Sequence, residues 1–136
     1  MSGTTMALEK HFKYRPFRSK NILLVDDEGD LGWILRKIAK DAGHRLTYAP
    51  TLKEGLEKFE RAKNMDVVIV DLRLENESGL TFVRKAQIIN HKVLFIMVTA
   101  FGTSAIKNKA RQLGVRHFLD KPLRLEKLLD IVNKDC

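Results

Sequence analysis

Short apolar segments recur along the chain from residue 21 onward, and they predict the strands of one sheet. Three are continuous runs rich in Val and Ile, at residues 22–25, 67–70 and 93–98. Continuous runs are typical of strands buried on both faces, as in a parallel sheet. Two weaker candidates, Arg45–Ala49 and residues 116–119, occupy the remaining regular positions, so five strands are expected.

The segments between and after these strands predict five helices. The second of them begins with a Thr-x-x-Glu capping box made by Thr51 and Glu54. The last three cover residues 80–89, 104–113 and 125–132. The first helix ends at Gly43, a suitable C-cap, and we expect its apolar stripe to consist of Leu31, Ile34, Leu35, Ile38 and Ala42.

Alternating strands and helices indicate an α/β fold of (βα)5 type. Right-handed crossovers then place helices on both faces of one doubly wound, five-stranded parallel sheet. Residues 21–136 are expected to form this single domain. Residues 1–20 are expected to form a basic and mobile N-terminal extension.

Composition excludes several classes of protein. The 136 residues are 44% hydrophobic and 31% charged, with three Pro and eight Gly, unlike a disordered or collagen-like chain. The longest uncharged apolar run, residues 93–101, is less than half of the roughly 20 residues that a membrane helix requires. Cys136 is the only cysteine, which excludes an internal disulfide, and no export signal is visible. We therefore expect a cytoplasmic protein without a membrane partner.

The net charge of +8 is concentrated near the start of the chain. Residues 1–20 carry five basic side chains against Glu9, which accounts for half of it. The pI near 9.7 is typical of proteins that bind nucleic acids, so this function has to be considered. Because no helix-turn-helix, zinc-finger or RNA-binding motif accompanies the charge, we instead expect a solvated basic surface and no direct nucleic-acid binding.

Polar and charged residues follow the predicted strands, where parallel sheets bind their ligands. These residues are Asp26, Asp27 and Glu28 after the first strand, Asp71 after the third, Thr99 after the fourth, and Asp120 and Lys121 after the fifth. Clustered carboxylates that stay ionised need a compensating cation, and oxygen ligands suit Mg²⁺. None of the four histidines stands at zinc-ligand spacing from another His or from Cys.

A carboxylate beside Mg²⁺ can act as a nucleophile toward phosphorus, and Asp71 is the candidate. Lys121 would neutralise charge on the phosphoryl oxygens, and Thr99 would hydrogen-bond one of them. A single Asp after a strand is more often a turn residue or a helix cap. That alternative is weakened here, because several polar or charged residues stand at the ends of different predicted strands in the same chain.

At this point residues 21–136 resemble the receiver domain of bacterial two-component response regulators, which is CheY-like. The matching motifs are the acidic pair Asp26-Asp27, Val-Ile-Val-Asp71-Leu-Arg-Leu with Gly79 eight residues after the Asp, Thr99-Ala100 and Lys121-Pro122. The resemblance implies a flavodoxin-like sheet of order 2-1-3-4-5. It also implies a cis Lys121-Pro122 peptide.

The resemblance further assigns roles to the site residues. Asp71 would be phosphorylated, and Mg²⁺ would be held by Asp26, Asp27, Asp71 and the backbone carbonyl of Arg73. Thr99 and Phe118 would form a switch that follows the phosphoryl group. Glu75 stands where the family often has Pro, from which we expect a more mobile loop but not an inactive domain.

The resemblance also implies partners. A sensor histidine kinase or a histidine phosphotransfer protein would supply the phosphoryl group, and a downstream protein would read the switched surface. A phosphorylation-dependent homodimer is a further expectation. The domain would be a signalling switch rather than a metabolic enzyme, either standing alone or belonging to a longer regulator. Trp33, off the apolar stripe, is either an incidental surface residue or a docking contact for the phosphodonor.

Two other functions fit parts of the pattern. A haloacid-dehalogenase-like phosphohydrolase also uses Asp, Thr and Lys with Mg²⁺, but it needs a second Asp two residues after the nucleophile, where Arg73 stands. A nucleotide or flavin binder would need a phosphate-binding glycine loop, and neither Gly-x-Gly-x-x-Gly nor Gly-x-x-x-x-Gly-Lys occurs.

Overall fold

The computed structural model describes residues 18–134. Its strands are β1 (Asn21–Val25), β2 (Arg45–Ala49), β3 (Val67–Asp71), β4 (Arg73–Leu74), β5 (Glu77–Ser78), β6 (Leu94–Thr99) and β7 (Val115–Asp120). Its helices are α1 (Gly29–Asp41), α2 (Leu52–Arg61), α3 (Gly79–Ile89), α4 (Ser104–Gln112) and α5 (Leu125–Lys134). Each predicted strand and helix is present, and its ends coincide with the prediction or differ from it by one or two residues.

Five of the strands form one parallel sheet of order β2-β1-β3-β6-β7. When β4 and β5 are set aside, this is the predicted order 2-1-3-4-5, so the fold prediction is confirmed. The order reverses at β1 and β3, because β2 lies on one side of β1 and the later strands lie on the other. Ligands of such sheets bind near that point, outside the carboxyl ends of the strands.

Helices cover both faces of the sheet. On one face, Leu23 and Val25 of β1 belong to a core that includes Phe59 of α2, Phe82 of α3 and Ala110 of α4. On the other face, the core contains Ile22 and Leu24 of β1, Leu35 of α1 and Leu128 of α5. Burial on both faces explains why the central strands read as continuous apolar runs.

The predicted stripe of α1 is wrong at Ile34, which is 42% exposed. The helix instead buries Gly32, Leu35 and Ala39. It packs so closely on β2 that a Cβ added to Gly32 would lie 2.6 Å from Cδ1 of Tyr48. Because of this close contact, the side of α1 that faces the sheet is the side that carries the small residues Gly32 and Ala39. Thr51 caps α2 as predicted, since its Oγ1 accepts a hydrogen bond from the backbone N–H of Glu54 at 3.1 Å. This is the threonine half of the predicted capping box.

The segment after Asp71 forms a small hairpin that the sequence pattern did not predict. Strands β4 and β5 pair antiparallel around a two-residue loop, and Asn76 in that loop has φ of 60°. The hairpin leads directly into Gly79, whose N–H donates to the carbonyl of Leu72 at 2.7 Å. A Cβ at Gly79 would overlap the carbonyl oxygen of Asp71, so glycine is required to bring α3 this close.

No helix in residues 18–134 is both long enough and apolar enough to cross a membrane.

Candidate functional site at the carboxyl edge of the sheet

The side chains predicted to meet do so at the carboxyl edge of the sheet. Asp26 follows β1, whereas Asp71 and Thr99 are the last residues of β3 and β6. Lys121 follows β7, and its N–H donates to the carbonyl of Thr99 at 2.9 Å. Because these strands are neighbours with parallel registers, their ends bring the four side chains together.

Three carboxylates form the acidic cluster of this site, which consists of Asp26, Asp27 and Asp71. One carboxylate oxygen from each lies within 4.8 Å of the other two. Asp26 is 1% exposed and Asp71 is 6% exposed, whereas Asp27 faces solvent. Backbone N–H groups orient the buried pair, since that of Glu28 donates to Asp26 Oδ1 at 2.8 Å and that of Arg73 donates to Asp71 Oδ1 at 3.0 Å.

One ammonium group contacts this cluster. Nζ of Lys121 lies 2.9 Å from Asp71 Oδ2 and 3.3 Å from Asp26 Oδ2. Its shortest contact, 2.7 Å, is with Glu28 Oε1. Sequence reasoning placed Glu28 at this edge but gave it no role. The signal was its position as the third acid after β1, but only the folded geometry reveals that its side chain reaches Lys121.

Burial and pairing shift the pKa values of this site in a consistent way. Loss of solvation raises the pKa of Asp26 to about 6, although the Glu28 N–H and Lys121 act in the opposite direction. For Lys121, burial lowers the pKa, but its hydrogen bonds to Glu28 and Asp71 outweigh that effect and leave the pKa above its ordinary value. The lysine is therefore charged at neutral pH, and an ionised Asp26 gains from any further cation nearby.

The donor set fits a hard divalent cation. It offers carboxylate oxygens from two buried groups and one solvent-facing group, which matches the partial protein coordination that Mg²⁺ accepts. No His or Cys joins the cluster among the described residues. The Arg73 carbonyl as a further ligand stays a prediction.

Thr99 and Phe118 both lie beside Gly102. A Cβ added to Gly102 would lie 2.6 Å from the Phe118 ring and 3.2 Å from Cγ2 of Thr99. Thr99 is 1% exposed, and its Oγ1 accepts a hydrogen bond from the N–H of Phe101 at 3.1 Å. Phe118 is half-buried, with Nζ of Lys107 at 5.4 Å from its ring centroid. Both residues of the predicted switch therefore lie beside Gly102, and their role as a switch stays a prediction.

Two large aromatic residues near this edge are exposed. The guanidinium carbon of Arg73 lies 5.0 Å from the ring centroid of Phe101, which is 64% exposed. The sequence pattern did not single out Phe101, because this residue lies just after Thr99 and belongs to no periodic pattern. Trp33 on α1 is 70% exposed, as its position off the apolar stripe predicted. The Lys121-Pro122 peptide is cis, which is also as predicted.

Comparisons with known proteins agree with this geometry. Residues 22–133 match the profile of the family described as "Response regulator receiver domain". The chain is 26% identical over 116 residues to the chemotaxis protein CheY of Thermotoga maritima, an alignment that covers 85% of this chain and 96% of that protein.

Solved structures are similar over nearly the same region. A CheY-like response regulator receiver domain protein from Methanospirillum hungatei JF-1 superposes with a TM-score of 0.81 at 25% identity, covering 86% of this chain and 93% of that one. The beryllofluoride-activated NtrC4 receiver domain dimer, solved in solution, gives a TM-score of 0.76 at 26% identity, with coverage of 82% and 92%.

Proposed function

The chain belongs to the response regulator receiver domain family, and on that premise we propose that it is a phosphoacceptor switch in which Asp71 receives the phosphoryl group. One observation carries the proposal. Asp71 is a buried carboxylate at a strand end, 2.9 Å from the Lys121 ammonium and beside two further carboxylates. Asp26, Asp27 and Asp71, with the Arg73 carbonyl, would hold Mg²⁺.

Transfer begins with attack by a carboxylate oxygen of Asp71 on the phosphorus of a phosphohistidine. The O–P bond forms as the P–N bond breaks, and the electron pair of that bond returns to the donor imidazole. Bound Mg²⁺ would neutralise charge that develops on the phosphoryl oxygens. Lys121 would contribute to the same neutralisation, because its ammonium lies 2.9 Å from Asp71 Oδ2. The donor is a sensor histidine kinase or a histidine phosphotransfer protein.

Phosphorylation then acts as a switch through Lys121. In the resting state the ammonium is shared by Asp71, Asp26 and Glu28. A phosphoryl group on Asp71 competes for it, and Thr99 moves to donate its hydroxyl to a phosphoryl oxygen. Phe118, whose ring lies against Gly102, moves with the threonine. The result is a two-state element that one local change in charge biases.

The assembly and location of the protein follow from the same proposal. We expect residues 21–136 to act as the receiver and residues 1–20 as an extension, in the cytoplasm, with a downstream protein as the target. The NtrC4 receiver is described as a dimer when activated by beryllofluoride, and it is 26% identical to this chain. We propose a phosphorylation-dependent homodimer here as well.

The haloacid-dehalogenase alternative gains no support. Its general acid would occupy the position of Arg73, which has no carboxyl group and places its guanidinium beside the Phe101 ring.

The test of the phosphoacceptor is intact-mass spectrometry after incubation with acetyl phosphate and Mg²⁺. The wild type is expected to gain one phosphoryl group, and Asp71→Asn none. Asp120→Asn is the matched control, because Asp120 also ends a strand but is exposed and outside the acidic cluster. Equal labelling of Asp71→Asn and the wild type would contradict the assignment.

The test of the switch is an amide NMR comparison with and without beryllofluoride. The wild type is expected to shift from α4 through α5, whereas Lys121→Ala should bind the mimic without that shift. Wild-type shifts in Lys121→Ala would mean that the lysine assists chemistry only.

A further inference from the structure

One continuous part of the chain carries positive charge without any negative charge. Residues 79–119 contain seven Lys and Arg and no Asp or Glu, whereas residues 21–78 contain nine basic and twelve acidic residues. The first range covers α3, β6, α4 and most of β7. We call the surface formed by its exposed side chains the acid-free face; its cations are Arg84, Lys85, Lys92, Lys107, Lys109, Arg111 and Arg116.

These cations lack anionic partners in the part of the chain that the structure describes. Six of the seven are exposed, and none forms an ion pair with a residue in the range 18–134. Within residues 18–134, Arg111 donates a hydrogen bond to the Asn108 amide oxygen, and Lys107 lies over the Phe118 ring. Unpaired like charges on one face repel one another, and an anionic surface brought against them would relieve that repulsion.

The same face exposes apolar side chains in the last turn of α3. Ile88 is 84% exposed and Ile89 is 45% exposed. Ile88 is three and four residues after Lys85 and Arg84, so the three side chains are neighbours on the helix surface. Two isoleucines gain little from contact with nucleic-acid phosphates. They do gain from leaving water for the apolar layer beneath lipid headgroups.

A cleft of about 660 Å³ adjoins this turn, between the end of α3 and the start of β7. His91, Lys92 and Arg116 line it together with Arg18. The acidic residue that lines this cleft, Asp66, accepts hydrogen bonds from the Arg18 side chain and from the backbone N–H of Asn21. In the sequence, Phe12, Tyr14 and Phe17 precede Arg18 and alternate with Lys13 and Arg15. Aromatic and basic residues therefore directly precede Arg18 in the sequence, and both types are typical of membrane-interface segments.

We propose that the acid-free face binds anionic membrane surfaces, with Ile88 and Ile89 entering the headgroup region and the surrounding cations contacting acidic headgroups. The expectation of no membrane partner came from the lack of a spanning segment, which does not bear on binding at the surface. The cleft lies at the amino end of the sheet, since Leu94 lines it and Leu94 begins the strand that Thr99 ends. A membrane-bound domain would keep Asp71 open to a phosphodonor.

The test is co-sedimentation of the full chain, at low ionic strength, with phosphatidylcholine vesicles that contain or lack phosphatidylserine. Binding is expected only with phosphatidylserine, and it should weaken as salt is raised. Each Lys or Arg removed near the membrane should reduce partitioning by about fivefold, so Arg84→Gln/Lys85→Gln should reduce it by about thirtyfold. Ile88→Ser should also reduce it without changing the net charge.

The matched control is Lys37→Gln/Lys40→Gln, which removes two exposed cations from α1 on the opposite face. It should reduce partitioning by less than the α3 pair, and Asp71→Asn should not change it. Thermal unfolding of each variant verifies folding. Equal losses in the two double variants would overturn the proposal, because net charge alone would then explain binding. Binding to single-stranded DNA but not to the vesicles, or to neither, would overturn it as well.

Discussion

The carboxyl edge of the sheet and the acid-free face hold charge under different physical conditions. At the edge, Lys121 contacts three carboxylates, and two of these, Asp26 and Asp71, are almost fully buried. On the acid-free face, cations such as Lys85 and Arg116 are exposed and have no ion partner in the described part of the chain. Buried charge is stable only in a precise arrangement of partners, whereas exposed charge is stabilised by water. Substitutions should therefore disturb the edge strongly and the face weakly.

The largest loss of stability is expected for Gly79→Ala at the edge, and Gly114→Ala is the variant to compare with it. A Cβ at Gly79 would overlap the backbone carbonyl of Asp71, which cannot move without displacing the site, so we expect a loss of about 2–3 kcal/mol. A Cβ at Gly114 meets the movable end of Gln87, and its φ of 102° adds strain of about 1–2 kcal/mol. Urea unfolding measures both changes. A larger loss of stability for Gly114→Ala than for Gly79→Ala would contradict this expectation.

The second expectation concerns Asp26→Asn without added metal. Because burial raises the pKa of Asp26 to about 6, the ionised form is disfavoured in the folded protein. A raised carboxyl pKa makes the wild type lose stability as pH rises from about 4 to about 6, with no further loss above that. The asparagine variant should avoid this loss and gain about 2 kcal/mol over the wild type between pH 4 and pH 7.

Urea unfolding at several pH values, in buffer with a chelator, measures this difference. Asp130→Asn is the control, because Asp130 is exposed on α5 and its ion partner, Lys134, is exposed too. A difference between Asp26→Asn and the wild type that does not vary between pH 4 and pH 7 would contradict the burial of charge at the site.

The smallest effect is expected on the acid-free face. Lys85→Gln and Lys109→Gln remove exposed cations without ion partners in the described range, so each should change the free energy of unfolding by less than about 0.5 kcal/mol. Urea unfolding in low salt is the sensitive measurement, because repulsion between these cations is least screened there. A decrease of 1 kcal/mol or more in the free energy of unfolding of either variant would mean that these side chains stabilise the fold.

The order of residues along the chain was enough to predict the (βα)5 fold class and the meeting of Asp26, Asp71, Thr99 and Lys121. The strand order within the sheet came from the family resemblance. Continuous apolar runs indicated parallel strands, and the carboxyl ends of parallel strands share one edge. The position of a residue directly after a strand therefore follows from the strand order and does not depend on its side-chain rotamer. The same logic located Glu28 at that edge.

Features that depend on side-chain reach or helix rotation could not be predicted in this way. The contact of Glu28 with Lys121 depends on a rotamer, and the exposure of Ile34 depends on how closely α1 approaches Tyr48. The β4–β5 hairpin rests on two residue pairs and on one positive φ at Asn76, which leave no periodic signal. The exposure of Ile88 appears only after the core side of α3 is known.

The most direct measurement of the central claim locates the phosphoryl group on the chain. After reaction with acetyl phosphate and Mg²⁺, borohydride reduces an aspartyl phosphate to homoserine, and peptide mass spectrometry then identifies the converted residue. We expect homoserine at position 71 and unmodified Asp26, Asp27 and Asp120. Homoserine at any of those three positions, or at none, would contradict the assignment of Asp71 as the phosphoacceptor.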